Sequence, residues 1–368
     1  MPFGFDFGEE KVLETISIGY LYPGMVAQDD IYNYNGKLLL VAKGITLTDT
    51  LISRLKNFND SQHNIKVSSE VRRELVNRGI PKESKQKKFE NTTGYSALKT
   101  ETENMLTVSQ VTDSVPYQQA SDAGKSVIKR IDVTDPAELF QCINAGNEVD
   151  EYLYRHSTNV AIINGLMAKW LGFGKRQTQE LVLLGLVHDV GKTRIPSQIL
   201  DFPGKLGEDD YELVKKHPVY SQEMISNNIN FNEDIKKGVR HHHERMNGEG
   251  YPDGLRADDI PLYSRITAVS DVYDAMVSRR TYKNAQSPFR VLLQLQTDQY
   301  SGLDIKLVKL FTELMPRELV GKTVLMSNGA AATVRHVNEY NIEYPVVEID
   351  GEVMPTNENL YCLSMMMD

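Results

Sequence analysis

The chain has 368 residues, with 41 Lys and Arg against 50 Asp and Glu and a formal charge of -9. That balance excludes a protein that coats nucleic acid, which needs a broadly positive surface, but leaves room for a small phosphate ligand held by a local cluster of Lys and Arg. No apolar run is long enough to span a bilayer, the N-terminus lacks the basic start and apolar core of a signal peptide, and the only cysteines, Cys142 and Cys362, form no CxxC, so a reducing, cytoplasmic setting without membrane insertion is expected.

Residues 1–66 read as a β-rich unit, with short runs of Val, Ile, Leu and Tyr separated by Tyr22-Pro23-Gly24 and by Asn35-Gly36. The second of these predicts a hairpin. A short helix is expected from Thr48, with Leu51, Ile52 and Leu55 on one side. Residues 67–115 turn polar and charged and read as a linker holding a short helix at 69–78. From 116 to 318 an apolar helical rhythm predicts a helical domain, whose helix at 116–131 offers a surface for a homodimer. Residues 319–368 alternate β-branched residues with Ser327-Asn328-Gly329 and Asp350-Gly351 turns, the pattern of a small β-meander. The fold class is therefore mainly α, with small β-rich units at both ends.

Six of the eight histidines fall between 156 and 243. His156 lies on the inward face of a helix carrying Val160, Ile163 and Met167. His188-Asp189 closes the apolar run of Leu181, Leu184 and Val187; adjacent residues share no helix face, yet at a helix end both can converge on one ion. Lys192 follows one turn later, placed to meet a phosphate oxygen. His217 precedes Pro218, where a helix ends or kinks. His241, His242 and His243 run into Glu244 and a glycine-rich loop that lets backbone approach a ligand. Asp271 and Asp274 share one face of a later helix, with Arg279, Arg280 and Lys283 beyond. Taken singly, each piece has a bland reading: a satisfied core histidine, a helix-dipole partner, a solvated charged face. Together they hold the imidazole and carboxylate groups that bind Fe, Mn or Zn on helical scaffolds.

The order and spacing resemble the HD-GYP family over about 146–318: HS at 156–157, HDVGK at 188–192, HP at 217–218, HHE at 242–244, NGEGYPDGL at 247–255 and ITAVSDVYDAM at 266–276. The N-terminal unit is similar to a small segment that precedes this domain in some members. The resemblance implies a helical-bundle metallohydrolase that hydrolyses cyclic di-GMP to pGpG, GMP or both by attack of a metal-bridging hydroxide. It implies metal ligands at His156, His188, Asp189, His217, His242, His243 and Asp271, with Asp189 as the bridge and His241 outside the ligand set. It places Lys192, Tyr251, Arg280 and Lys283 at the substrate, Asp274 near the metal-bound water as a catalytic candidate, and a GGDEF-type partner at the GYP loop. Members with three metals carry a glutamate where this chain has Tyr152; Glu151 is one residue off, about 100° away on a helix. Two metals are therefore expected, iron or manganese ahead of zinc for a site of N and O donors without Cys. Another HD hydrolase of a different phosphate ester and a silent cyclic di-GMP receptor are the competing readings.

Overall fold

The computed structural model describes residues 13–17, 26–32, 39–48, 50–52, 55, 64–68, 94–144, 152–200, 202, 206–277, 287–297 and 302–366. The Asn35-Gly36 turn, the helix expected at 69–78, and Arg279, Arg280 and Lys283 lie outside them. The chain divides into two compact units, 1–80 and 81–368.

In the first unit, β1 (Leu13–Ser17), β5 (Asn64–Ser68) and β2 (Val26–Ala27) form an antiparallel sheet in the order β1-β5-β2. β3 (Ile31–Tyr32) pairs with β4 (Leu39–Val41) on either side of the expected turn. Thr48 opens a helical turn at 50–52: its hydroxyl accepts the Leu51 N–H and its carbonyl the Ile52 N–H. Ile52 and Leu55 then close a small core with Ala27, Ile31, Leu40, Val41 and Leu47.

Among the described residues of the second unit the first helix is α1 (Tyr95–Thr112), which corrects the expectation of a linker running to residue 115. The helix buries Tyr95, Leu98, Met105 and Leu106 together with Lys99, Thr102 and Ser109. Its inward stripe is half polar, so its composition resembled a linker. Thr102 and Ser109 stay satisfied by donating to the carbonyls of Leu98 and Met105, one turn back.

There follow α2 (Tyr117–Val133), α3 (Pro136–Asn144), α4 (Tyr152–Trp170), α5 (Lys175–Val187), a 3₁₀ turn (Val190–Arg194), α6 (Ser197–Leu200), α7 (Glu208–Val214), α8 (His217–Ser226), α9 (Glu233–His241), α10 (Leu262–Val277), α11 (Pro288–Thr297) and α12 (Ile305–Glu318). α2 turns Ala120, Ala123, Gly124, Val127 and Ile131 into the core of its own chain, so the helix expected to carry a dimer contact spends its apolar stripe internally. α4 and α5 meet at backbone contact: a Cβ on Gly185 would lie 2.5 Å from Ala161 Cα. Asn164 ties these helices to α10, donating to the Leu181 carbonyl and to Thr267, each at 3.0 Å.

The C-terminal strands β6 (Thr323–Met326), β7 (Ala331–Asn338), β8 (Asn341–Ile349), β9 (Glu352–Pro355) and β10 (Cys362–Met365) form one antiparallel sheet in the order β10-β6-β7-β8-β9. β8 and β9 are joined at Asp350-Gly351, whose φ values of 51° and 88° are those of a two-residue hairpin turn. Val324, Met326, Val334, Val347, Cys362 and Met365 belong to the same buried cluster as the helices. The expected break at 318/319 is thus a change of secondary structure within one core. No helix among the described residues is long and apolar enough to cross a membrane.

Candidate metal centre

Three histidines sit just beyond, or one short turn beyond, a helix C-terminus and turn back onto it. His188 Nδ1 donates to the Gly185 carbonyl at 2.8 Å, His217 Nδ1 to Val214 at 2.8 Å and His242 Nδ1 to Val239 at 2.7 Å. Each takes a carbonyl that the ending helix leaves without a partner. A carbonyl can only accept, so the proton is on Nδ1, and Nε2 of the neutral ring presents a bare lone pair. Burial holds His188 below its ordinary pKa; burial, then the neighbouring rings of His188 and His217, holds His242 well below it. His156 is fixed differently: its Nδ1 donates to Asp274 Oδ2 at 2.7 Å, again leaving Nε2 for the centre.

These lone pairs converge on Asp189, which is fully buried and lies between α5 and the 3₁₀ turn. Its two oxygens face different partners. Oδ2 lies 3.3 Å from His156 Nε2 and 3.5 Å from His188 Nε2. Oδ1 lies 3.1 Å from His217 Nε2 and 3.8 Å from His242 Nε2, and makes no hydrogen bond. Two donor groups result: His156, His188 and Asp189, and Asp189, His217, His242 and His243. Asp271 spans the same gap, with Oδ1 3.1 Å from His156 Nε2 and Oδ2 3.9 Å from His243 Nδ1. Burial works against ionising Asp189, but the Lys192 ammonium 2.5 Å from Oδ2 and the surrounding imidazoles hold its pKa well below the usual carboxylate range. Asp271 is likewise held low: burial opposes its charge, while the polar surroundings of His156 and His243 outweigh it. Buried lone pairs at such distances repel one another unless a cation lies among them, so the residues fit a divalent metal centre.

The seven expected ligand positions are therefore brought together. Asp274, expected near a metal-bound water, is buried beside His156: its Oδ2 accepts from His156 Nδ1, and its Oδ1 accepts from Asn159 Nδ2 at 2.7 Å. These bonds fix the orientation of the His156 ring. Position 152 starts α4, but its side chain and Glu151 lie outside the described residues.

The glycine-rich loop closes one side. Gly250 passes so near the backbone that a Cβ would lie 2.4 Å from Arg245 N and Glu244 Cα. The buried Glu244 carboxylate accepts the N–H groups of Asp253 and Leu255 at 2.7 and 3.0 Å. Arg240 grips Asp253 with two bonds of 2.7 Å, holding its pKa down to about 2. His241, expected behind the ligands or exposed, adds a 2.9 Å contact to Asp253 Oδ2. So anchored, the loop stacks Tyr251 on His243, with ring centres 4.7 Å apart. Burial, then the charge of Asp271, pushes the Tyr251 phenol well above its ordinary pKa, which keeps it a hydrogen-bond donor at neutral pH. The anchoring role of Glu244, as well as Asn159 and the carbonyl anchors, went unread in the sequence; the position of Asn159 three residues after His156, on the same helix face, was the available signal.

Residues 142–307 match the family model described as HD domain. This segment is thus similar to HD domains. Over 201 residues the chain is 32% identical to a cyclic di-GMP phosphodiesterase of Pseudomonas aeruginosa, covering 54% of this chain and 48% of that protein. Over 148 residues it is 36% identical to a 3′3′-cGAMP-specific phosphodiesterase of Vibrio cholerae, covering 39% of this chain and 33% of that one. The chain thus spans from a third to about half the length of these relatives. A solved structure of an HDGYP-type protein from Bdellovibrio bacteriovorus shares the fold of the HD domain and its flanks, with a TM-score of 0.51 and 16% identity over 83% of this chain and 99% of that one.

Proposed function

We propose that this protein is a metal-dependent phosphodiesterase that hydrolyses cyclic di-GMP, first to linear pGpG. The observation that carries this is the split of Asp189: one carboxylate whose two oxygens face two separate histidine groups. That arrangement suits two ions, iron or manganese, since imidazole and carboxylate supply every donor in the two groups. When bound, such ions supply a nucleophile at neutral pH and neutralise charge on the phosphate.

The chain's own residues do the rest. Asp189 and Asp271 hold the two donor groups in register, and the carbonyl-anchored histidines keep their lone pairs aimed without reorganisation. Lys192, with its ammonium beside Asp189 Oδ2, is placed to meet a non-bridging phosphate oxygen. Tyr251 forms a rigid wall over His243 and offers its hydroxyl to the substrate. Arg280 and Lys283 complete the substrate contacts in this proposal. The loop turns Asn247, Glu249, Asp253 and Gly254 outward, the surface that a GGDEF-type partner would meet. A second substrate, 3′3′-cGAMP, is favoured by the likeness to the Vibrio cholerae phosphodiesterase.

The test is anaerobic purification, loading with Fe(II) or Mn(II), and separation of nucleotides over time after adding cyclic di-GMP or 3′3′-cGAMP. Appearance of pGpG, absent with Asp189→Ala, is expected. Intact cyclic di-GMP beside a fully loaded protein would reject the proposal, and preferential loss of 3′3′-cGAMP would move the substrate assignment.

A further inference from the structure

His156 is held by a line of hydrogen bonds that leaves the HD domain. Its Nδ1 donates to Asp274 Oδ2, Asn159 Nδ2 donates to Asp274 Oδ1, and Asn159 Oδ1 accepts from the hydroxyl of Tyr95. Tyr95 is the first residue of α1, 64 positions before Asn159 and upstream of the 142–307 family match. All four side chains are at most 1% exposed.

The line has one direction because it ends on a carboxylate, which only accepts. Asn159 must turn its amide N–H toward Asp274, and its oxygen is then buried facing Tyr95. The phenol hydroxyl satisfies that oxygen and thereby holds the amide, the carboxylate and the imidazole in one orientation. The ring is fixed in its turn. Lys99 Nζ lies 5.9 Å and Arg155 Cζ 5.8 Å from its centroid, and Arg155 is bound to the Cys142 carbonyl at 2.7 Å. Cations over an aromatic face draw electron density from it and make its hydroxyl a better donor.

We infer that Tyr95 is a positioning residue for the metal centre, acting through Asn159 and Asp274 on His156, so that α1 sets metal affinity from outside the HD domain. The inference rests on the metal-centre reading above, and not on the identity of the substrate.

The test uses the full chain and Co(II) or Mn(II) alone. Affinity is read by chelator competition, the Co(II) absorption spectrum reports ligand geometry, and the melting temperature of the metal-free protein reports the fold. Tyr95→Phe keeps the ring and removes the hydroxyl. Thr102→Val is the comparison, because Thr158 donates to Thr102 at 2.9 Å, a contact between α1 and α4 that bypasses the line. Tyr95→Phe is expected to weaken metal binding by about tenfold and to shift the Co(II) spectrum. Thr102→Val should lower only the melting temperature. Wild-type affinity and spectrum in Tyr95→Phe would overturn the inference. So would equal weakening in both variants, since Tyr95 would then act only by packing α1. A wild-type chain that takes up no metal would instead reject the metal centre, and this inference with it.

Discussion

His217 Nε2 and Asp189 Oδ1 lie 3.1 Å apart without a hydrogen bond between them. The ring's proton is committed to the Val214 carbonyl on its other side. A buried carboxylate oxygen and an imidazole lone pair at this distance suit a shared cation.

Asp189→Ala is therefore expected to lose both donor groups together. Metal content after loading should fall toward zero, with affinity down by more than about a hundredfold, since losing even a residue behind a ligand weakens metal binding by about 10–100-fold. Elemental analysis after gel filtration checks this. Retention of one ion at near wild-type affinity would show that Asp189 serves only one group.

Lys192→Ala separates binding from rate. The Lys192 ammonium has no lone pair to offer an ion, so metal content should hold while turnover falls by about 10²–10³-fold, the range for removing one charge-stabilising donor. Steady-state kinetics on the loaded variant decide it; full activity would remove Lys192 from the reaction.

Gly185→Ala pits two effects against each other. In an open helix the change stabilises by about 1 kcal/mol. Here the new Cβ would lie 2.5 Å from Ala161 Cα, and backbone cannot step aside as a side chain would. Overpacking of about 1–3 kcal/mol or more should win, lowering the melting temperature and loosening metal binding as His156 and His188 separate. A more stable variant with unchanged affinity would show that the helices can part freely.

The metal-free protein should lose stability in mild acid. Burial depresses the pKa of His188 and His242 below the ordinary histidine value. Below about pH 6.5 the unfolded chain therefore takes up protons that the folded chain refuses, and stability falls as pH falls. The slope approaches about 1.4 kcal/mol per pH unit for each such histidine. Asp189 and Asp271, whose pKa values are lowered, add stability that is present above their ordinary range and is lost as pH drops below it. Thermal melts with chelator from pH 8 to pH 5 test the slope; a flat profile would mean that these histidines are protonated in the fold.

Much of the centre was legible because imidazole and carboxylate are few and chemically distinctive, and their order along the helices survives without coordinates. The supports were not. Tyr95 and Asn159 are ordinary residues that acquire meaning only when chain segments 64 positions apart touch. α1 hid for a related reason: Lys99, Thr102 and Ser109 on its inward face blunted the apolar rhythm that marked the later helices. Asp274 shows the limit of spacing. It shares a helix face with Asp271, yet three residues of rise suffice to place one carboxylate toward His243 and the other behind His156.

The bonds from His188, His217 and His242 to carbonyls three residues earlier tie each ring to the last turn of the helix that precedes it. The centre thereby becomes a gauge of helical phase. A residue inserted within α5 would leave the His188 anchor intact but rotate the helix body about 100° relative to the ring, forcing a choice between the apolar seam and the ion. Of the segments joining these helices, 227–232 between α8 and α9 holds no expected ligand and none of the three anchoring carbonyls, so length variation compatible with the centre belongs there and not inside the helices.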